Sequence, residues 1–168
     1  HYPRVAKQGA VCDALVANID VAPTLMALAG ISAGNQVDGQ SFAPLLRDPE
    51  SRQPRREQLL YEYYWEPNFP QTPTTFALRT EKFKLIQYHG IWDTDELYNI
   101  AVDPMETTNL IHQADQKQRV TQMRRQLHEQ LKSTGGLMIP LGFKRGHGSN
   151  MRSATGSTRS RFPTHMIK

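Results

Sequence analysis

Thr75-Phe76-Ala77-Leu78-Arg79 and Phe83-Lys84-Leu85-Ile86-Gln87-Tyr88 flank a short polar turn at Thr80-Glu81, and this stretch decides the fold. Both runs are rich in β-branched, aromatic and aliphatic residues, so they read as two antiparallel strands. Along the second run Phe83 and Leu85 point to one face while Ile86 and Tyr88 point to the other. Both faces are apolar, and each needs a cover.

Working outward, Leu59-Leu60-Tyr61-Glu62-Tyr63-Tyr64-Trp65 on one side and Glu96-Leu97-Tyr98-Asn99-Ile100 on the other add two strands, giving a sheet of about four. A helix expected from about Asp115 to Ser133 supplies one cover, because Val120, Met123, Leu127 and Leu131 fall three and four residues apart on one stripe. Asp115 and Gln118 have the spacing of a capping pair, and Gly135-Gly136 ends the helix. The second cover has to come from outside this sheet, and a larger preceding domain is the expected source. Strands followed by one packing helix make this region α+β.

Ahead of the sheet, the pattern predicts a helix over about 20–29, with Asp20 as cap, Pro23 in the first turn, an apolar face of Leu25, Met26, Leu28 and Ala29, and Gly30 at the close. Asn35 to Pro44 holds turn formers around Asp38-Gly39, after which Phe42, Leu45 and Leu46 return to a core. Residues 47–57 form a charged, proline-containing linker. Beyond Leu141 the chain is rich in Gly, Ser, Thr and Arg without periodicity, and reads as a disordered tail. Three segments result: 1–50, 51–141 and 142–168.

Composition is that of a globular protein, with 38% hydrophobic residues in a chain of 168. The net charge of +4 is not spread evenly: Lys144, Arg145, Arg152, Arg159, Arg161 and Lys168 lie in a terminal stretch free of acids, so the body is mildly acidic. Such a tail is read as a solvated end, and no nucleic-acid partner is expected. No run is long and apolar enough for a membrane span, and His1-Tyr2-Pro3-Arg4 lacks both an initiator Met and the core of a signal peptide. The start is therefore expected to be an internal cut. Cys12, alone among small apolar residues, excludes a disulfide framework and is expected to be a packed thiol.

Reaction machinery is absent from the pattern. There is no P-loop, no G-x-S-x-G elbow, no H-E-x-x-H and no nucleotide-binding glycine motif. The six histidines are scattered without metal-ligand spacing, and Asp93, Asp95 and Glu96 lack the glycine and spacing of a calcium loop. No catalytic residue and no metal ligand is expected in this chain.

Two stretches carry a resemblance. Asn18-Ile19-Asp20-Val21-Ala22-Pro23-Thr24-Leu25, running on to Ala29-Gly30-Ile31, resembles the sulfatase-family segment N-I-D-[IL]-x-P-T-[LI]-x-x-x-A-G-[VI], and Gly39-Gln40-Ser41-Phe42-Ala43-Pro44-Leu45-Leu46 resembles its G-x-S-[LF]-x-P-L-L. Arg79-Thr80-Glu81-Lys82-Phe83-Lys84-Leu85-Ile86, then Glu96-Leu97-Tyr98-Asn99, then Asp103-Pro104-Met105-Glu106-Thr107-Thr108-Asn109-Leu110, are similar to the family's R-T-x-[RK]-[YF]-K-x-I, E-L-Y-[DN] and D-P-x-E-x-x-N-L. Five pieces in order give the likeness its weight. The aromatic run Tyr61 to Trp65, the loop Glu66 to Thr75 and Gly136 to Leu141 resemble the branch acting on sulfated sugars, the N-acetylglucosamine-6-sulfatase-like enzymes.

That resemblance, to formylglycine-dependent sulfatases of the alkaline phosphatase superfamily, implies an α/β enzyme. Residues 1–50 would be the end of its catalytic domain and 51–141 its small carboxyl-terminal subdomain. It also implies a formylglycine made from the Cys of a C-x-P-S-R motif, and a calcium ion, both in an upstream catalytic domain. Cys12, followed by Asp13-Ala14-Leu15, does not match that motif. The implied contribution of this chain is a pocket wall that selects a sulfated sugar, with Trp65, Gln71, Thr72 and His89 as candidate contacts, since aromatic faces with amide and hydroxyl groups suit a sugar ring. The alternative for Trp65 and Phe69 is packing within the subdomain. The family's export implies a periplasmic, extracellular or lysosomal location. Rival readings are a phosphodiesterase or phosphonate hydrolase of the same superfamily, and a stand-alone module binding an acidic partner.

Overall fold

Alternating side chains fix the pairing of the strands. In the computed structural model, which describes residues 4–6, 8–51, 56–65, 68, 72–89 and 94–137, β1 (Gln58–Tyr63), β2 (Thr74–Thr80), β3 (Phe83–His89) and β4 (Glu96–Asn99) form one sheet in the order β1-β2-β3-β4. β2 runs antiparallel to β3, with Leu78 opposite Leu85 and Thr74 opposite His89. β3 runs antiparallel to β4, with Leu85 opposite Leu97. This register gathers Phe76, Leu78, Phe83, Leu85 and Leu97 on one face, and all are buried. The Thr80 hydroxyl closes the turn before β3, accepting from the Phe83 N–H at 3.0 Å and donating to the Phe83 carbonyl at 3.1 Å.

The helical stripe covers that face. Among the described residues five helical segments precede or follow the sheet, and the long one, here α3 (Lys117–Ser133), buries Val120, Met123, Leu127 and Leu131 in one core with the strand residues and Ile111. Full burial of such a side chain contributes roughly 1.5–3 kcal/mol, so the stripe and the strand residues it meets stabilise the unit together. The expected capping pair does not form. A 3₁₀ turn at Ala114–Gln116 leads into α3 without a side-chain cap, and Asp115 instead accepts from Gln116 Nε2 at 2.9 Å. At the other end Gly135 takes φ +74° and the Gly136 N–H reaches back to the Leu131 carbonyl at 2.7 Å, closing the helix as the Gly-Gly pair predicts. On the opposite sheet face Ala77 is buried, while Ile86 and Tyr88 are half-buried.

The chain divides into two compact units, His1–Leu59 and Leu60–Lys168. Within the first of these, Arg56 is paired with Asp20. That unit contains a 3₁₀ turn at Asn18–Asp20, α1 (Val21–Leu28) and α2 (Ala43–Arg47). α1 closes on Gly30 at φ +74°, with the Ile31 N–H bonded to the Met26 carbonyl at 2.9 Å. α2 is a single turn whose Ala43 and Leu45 are buried, as the return of this segment to a core predicts. The expected tail, 142–168, lies outside the described residues.

Asp20 has a different task from the one its position suggests. No side-chain cap bond is made to α1. Its carboxylate is 1% exposed and accepts from Arg56 Nη1 at 2.5 Å and Nη2 at 2.7 Å, the Gln40 N–H at 2.7 Å and the Ala17 N–H at 2.7 Å. Thr24 continues the arrangement: its hydroxyl donates to the Asp20 carbonyl at 2.6 Å and accepts from the Phe42 N–H at 2.9 Å. Gly39 completes it, since a Cβ there would stand 2.0 Å from the Ile19 carbonyl oxygen, so the two loops meet backbone to backbone. Cys12, expected to be packed, is exposed, its thiol directed at the Pro49 carbonyl at 3.4 Å.

Burial raises the Asp20 pKa, and the hydrogen bonds from Arg56, Gln40 and Ala17 outweigh burial, leaving the carboxyl below its ordinary 3.8. A depressed carboxyl contributes its stabilisation above the unfolded value and loses it as pH falls through the lower folded value. Asp20→Asn leaves a buried Arg56 without its counter-charge and is expected to cost about 3–5 kcal/mol in urea unfolding near neutral pH. The deficit should shrink as pH is taken below 3.8. A variant as stable as the unsubstituted protein at neutral pH would contradict this role.

Candidate functional site

One end of the sheet assembles most of the residues singled out from the sequence. Beyond β1 the Trp65 N–H donates to Thr74 Oγ1 at 2.9 Å, and Thr74, fully buried, stands opposite His89 in the β2–β3 pair. Trp65, Thr74 and His89 thus lie at one corner, joined through the first residue of β2. Thr72 is exposed just before that strand, and Trp65 is half-buried, which leaves part of the indole available. Gln71 lies outside the described residues.

His89 is placed differently from an accessible sugar contact. It is 3% exposed and meets Phe76 edge-on, ring centroids 5.5 Å apart. The period of two explains this: His89 shares the helix-facing side of β3 with Phe83, Leu85 and Gln87. Its ring packs the end of the core beneath the corner. Tyr64, next to Trp65, is fixed from both sides, edge-on to Phe76 at 5.5 Å and donating its hydroxyl to the Gly136 carbonyl at 2.9 Å.

The motif residues of the second unit turn out to be joints. Asp95, 5% exposed, accepts from Arg124 of α3 at 2.8 Å and from Gln87 of β3 at 3.1 Å. Asn109 accepts the Leu97 and Ile111 N–H groups at 3.0 Å each and donates to the Asp95 carbonyl at 3.2 Å. Asp103 holds the preceding turn, accepting from the Thr108 N–H at 2.9 Å and the Thr107 hydroxyl at 3.0 Å. Hydrogen bonds from the Thr108 and Thr107 backbone lower its pKa. Glu106 takes φ +55° and pairs with Lys84. Burial raises the Tyr98 pKa, and the neighbouring Glu96, Glu106 and Asp103 push it the same way, so Tyr98 stays a neutral phenol. Asn109 in particular carries no chemical signal in the sequence that separates a joint from a ligand.

The resemblance implies calcium and formylglycine for an upstream domain, and the described residues offer no set of side chains that fits either. Among the described residues no group of three or more His, Cys, Asp or Glu is placed to hold a metal ion. Cys12 lacks the sequence context of a modified cysteine, and Asp95, Glu106 and Asp103 are engaged by Arg124, Lys84 and the Thr108 N–H, respectively. No described helix is long and apolar enough to cross a membrane.

The family described as N-sulphoglucosamine sulphohydrolase, C-terminal, matches residues 1–133. An N-acetylglucosamine-6-O-sulfatase of Bacteroides thetaiotaomicron is 30% identical over 130 residues, which are 76% of this chain and 23% of that protein. A solved structure in complex with its substrate D-glucosamine-2-N,6-O-disulfate superposes with TM-score 0.72 at 28% identity, over 82% of this chain and 28% of that one. The phosphonate monoester hydrolase of Agrobacterium radiobacter superposes with TM-score 0.50 at 25% identity, over 70% of this chain and 24% of its own. The chain spans about a quarter of the length of the relatives it matches.

The corner depends on Thr74 as acceptor. Thr74→Val keeps the shape and removes the oxygen, leaving the Trp65 N–H unpaired, at an expected cost of about 1–3 kcal/mol. Hydrogen exchange at the Trp65 amide should accelerate. Unchanged exchange would mean that Thr74 does not hold the loop.

Proposed function

We propose that this chain, which belongs to the N-sulphoglucosamine sulphohydrolase family through its carboxyl-terminal part, is the end of a sulfatase that hydrolyses sulfate esters of amino sugars. The observation that carries the reading is the match over residues 1–133, supported by the likeness to a structure holding a sulfated glucosamine. In this reading bond cleavage belongs to an upstream catalytic domain, which is also where formylglycine and calcium would act. This chain supports that domain and walls its pocket. Trp65, Gln71 and Thr72 are the sugar contacts: the indole offers an apolar face to the ring, and the amide and hydroxyl answer its polar groups. His89 and Thr74 support the corner from below. Export to a periplasmic, extracellular or lysosomal compartment goes with this substrate class.

A second reading, phosphonate ester hydrolysis, has one observation behind it, the fold shared with the Agrobacterium enzyme. The upstream sequence separates the readings: a C-x-P-S-R cysteine with one metal site favours sulfate esters, and a Thr or Ser nucleophile flanked by two clusters of Asp and His favours phosphate chemistry.

The test uses the full-length enzyme. Trp65→Ala and Gln71→Ala should each lower kcat/KM on a sulfated amino sugar by about 5- to 150-fold, the loss expected for one contact worth about 1–3 kcal/mol. Activity on a small aryl sulfate should change much less, because that substrate lacks the ring these residues touch. Equal losses on both substrates would assign the loop to packing.

A further inference from the structure

The long helix is basic on a body that is mildly acidic. α3 carries five Lys or Arg side chains against the single acid Glu129. Two of the five are engaged within the unit: Arg124 pairs with Asp95, and the Arg119 guanidinium lies 3.7 Å over the Phe83 ring. Lys117, Arg125 and Lys132 are exposed, and among the described residues their side chains have no hydrogen bond or ion pair. At 3.6 residues per turn these three share one stripe outside the buried one, spaced about 12 and about 10 Å along the axis. Over the first half of this face Lys117, Gln118, Thr121, Gln122 and Arg125 line, together with Asp115, an open groove of about 700 Å³. The one carboxylate there, Asp115, already accepts from Gln116 Nε2 at 2.9 Å.

We propose that this face of α3 binds a polymer of sulfated amino sugars, holding several of its sulfate groups at once. This rests on the reading of the parent as an amino-sugar sulfatase and adds a second contact for the same substrate class. Charge is the first reason: cations set in a line suit the repeated negative charges of an extended chain better than a lone anion. Gln118 and Gln122 add amides, and the Thr121 hydroxyl, which donates to the Lys117 carbonyl at 3.0 Å, remains an acceptor, so the groove also answers the hydroxyl and amide groups of such sugars. The exposed positions of α3 hold no Phe, Tyr or Trp on which a nucleic-acid base could stack, and no aliphatic side chain to enter a lipid surface. A single sulfated sugar cannot span the three cations and gains little here, whereas a longer chain gains with each added contact.

Titration of the full-length protein with size-fractionated heparin oligosaccharides, at several salt concentrations, tests this. One variant combines Lys117→Gln, Arg125→Gln and Lys132→Gln; a second keeps the charges, with Lys117→Arg, Arg125→Lys and Lys132→Arg. The glutamine variant is expected to bind the oligosaccharide about 3- to 150-fold more weakly, the sum of three exposed charge contacts, and to show a flatter dependence of Kd on salt. The charge-keeping variant should bind like the unsubstituted protein, and kcat/KM on a single sulfated amino sugar should be unchanged in both. Equal binding by all three proteins would overturn the proposal. So would a single-stranded oligonucleotide held as tightly as heparin and weakened by the same substitutions, since the face would then be a non-selective basic surface. A loss of single-sugar turnover matching the loss of binding would assign the three residues to the fold and overturn it as well. If the glutamine variant fails to accumulate, Arg125→Gln alone decides on the same readouts. Binding and turnover are read separately: charge-dependent binding without turnover of any sulfated amino sugar faults the proposed function and leaves this face standing, and turnover without such binding does the reverse.

Discussion

The buried Asp20 carboxylate is the constraint on which the first unit depends. It receives four hydrogen bonds, two of them from one guanidinium, and so joins residues 17, 20, 40 and 56, which are far apart in sequence. A buried ion pair is weak evidence for net stability, because desolvation offsets most of the attraction, but removing one partner is costly. Its value here lies in geometry. With Asp20 and Thr24 turned inward and Gly39 allowing the Gln40 loop to touch the Ile19 backbone, α1 is presented with its aliphatic side outward.

The second unit follows ordinary rules of packing, and its polar residues serve them. Asn109 links β4 to the segment leading to α3, Asp95 ties that helix to β3, and Asp103 closes the turn between them. Asp103 and Asn109 belong to the sequence likeness, yet their side chains are spent on backbone N–H groups and local hydrogen bonds. The similarity to known sulfatases therefore reports a shared scaffold. In the proposed function the loop that follows Trp65 meets the ligand, with the buried Thr74 and His89 packed beneath it.

Much of the fold is legible in the sequence because it rests on local periodicity. The four strands and the stripe Val120, Met123, Leu127 and Leu131 follow from spacing alone, and Gly30 and Gly135 mark helix ends where a positive φ is required. Long-range partners are not legible. Asp20 sits where a cap belongs, and nothing in its neighbourhood reveals a guanidinium 36 residues away. Asp115 fails as a cap for a related reason, since a 3₁₀ turn carries the chain into α3 at that point. The candidate site was legible only as a loop. That His89 stands opposite Thr74, which holds the Trp65 N–H, follows from the register and one hydrogen bond, and the register also buries His89.

The account separates two tasks, holding the sugar and breaking its ester, and gives this chain the first. A crystal structure of the full-length protein with a sulfated glucosamine bound would test that separation most directly. The account predicts that the ring contacts side chains from the Trp65 to Thr75 loop, while every group within hydrogen-bonding reach of the sulfate lies outside residues 1–133. A sulfate held by a side chain of this chain, or a sugar that never meets the loop, would contradict it.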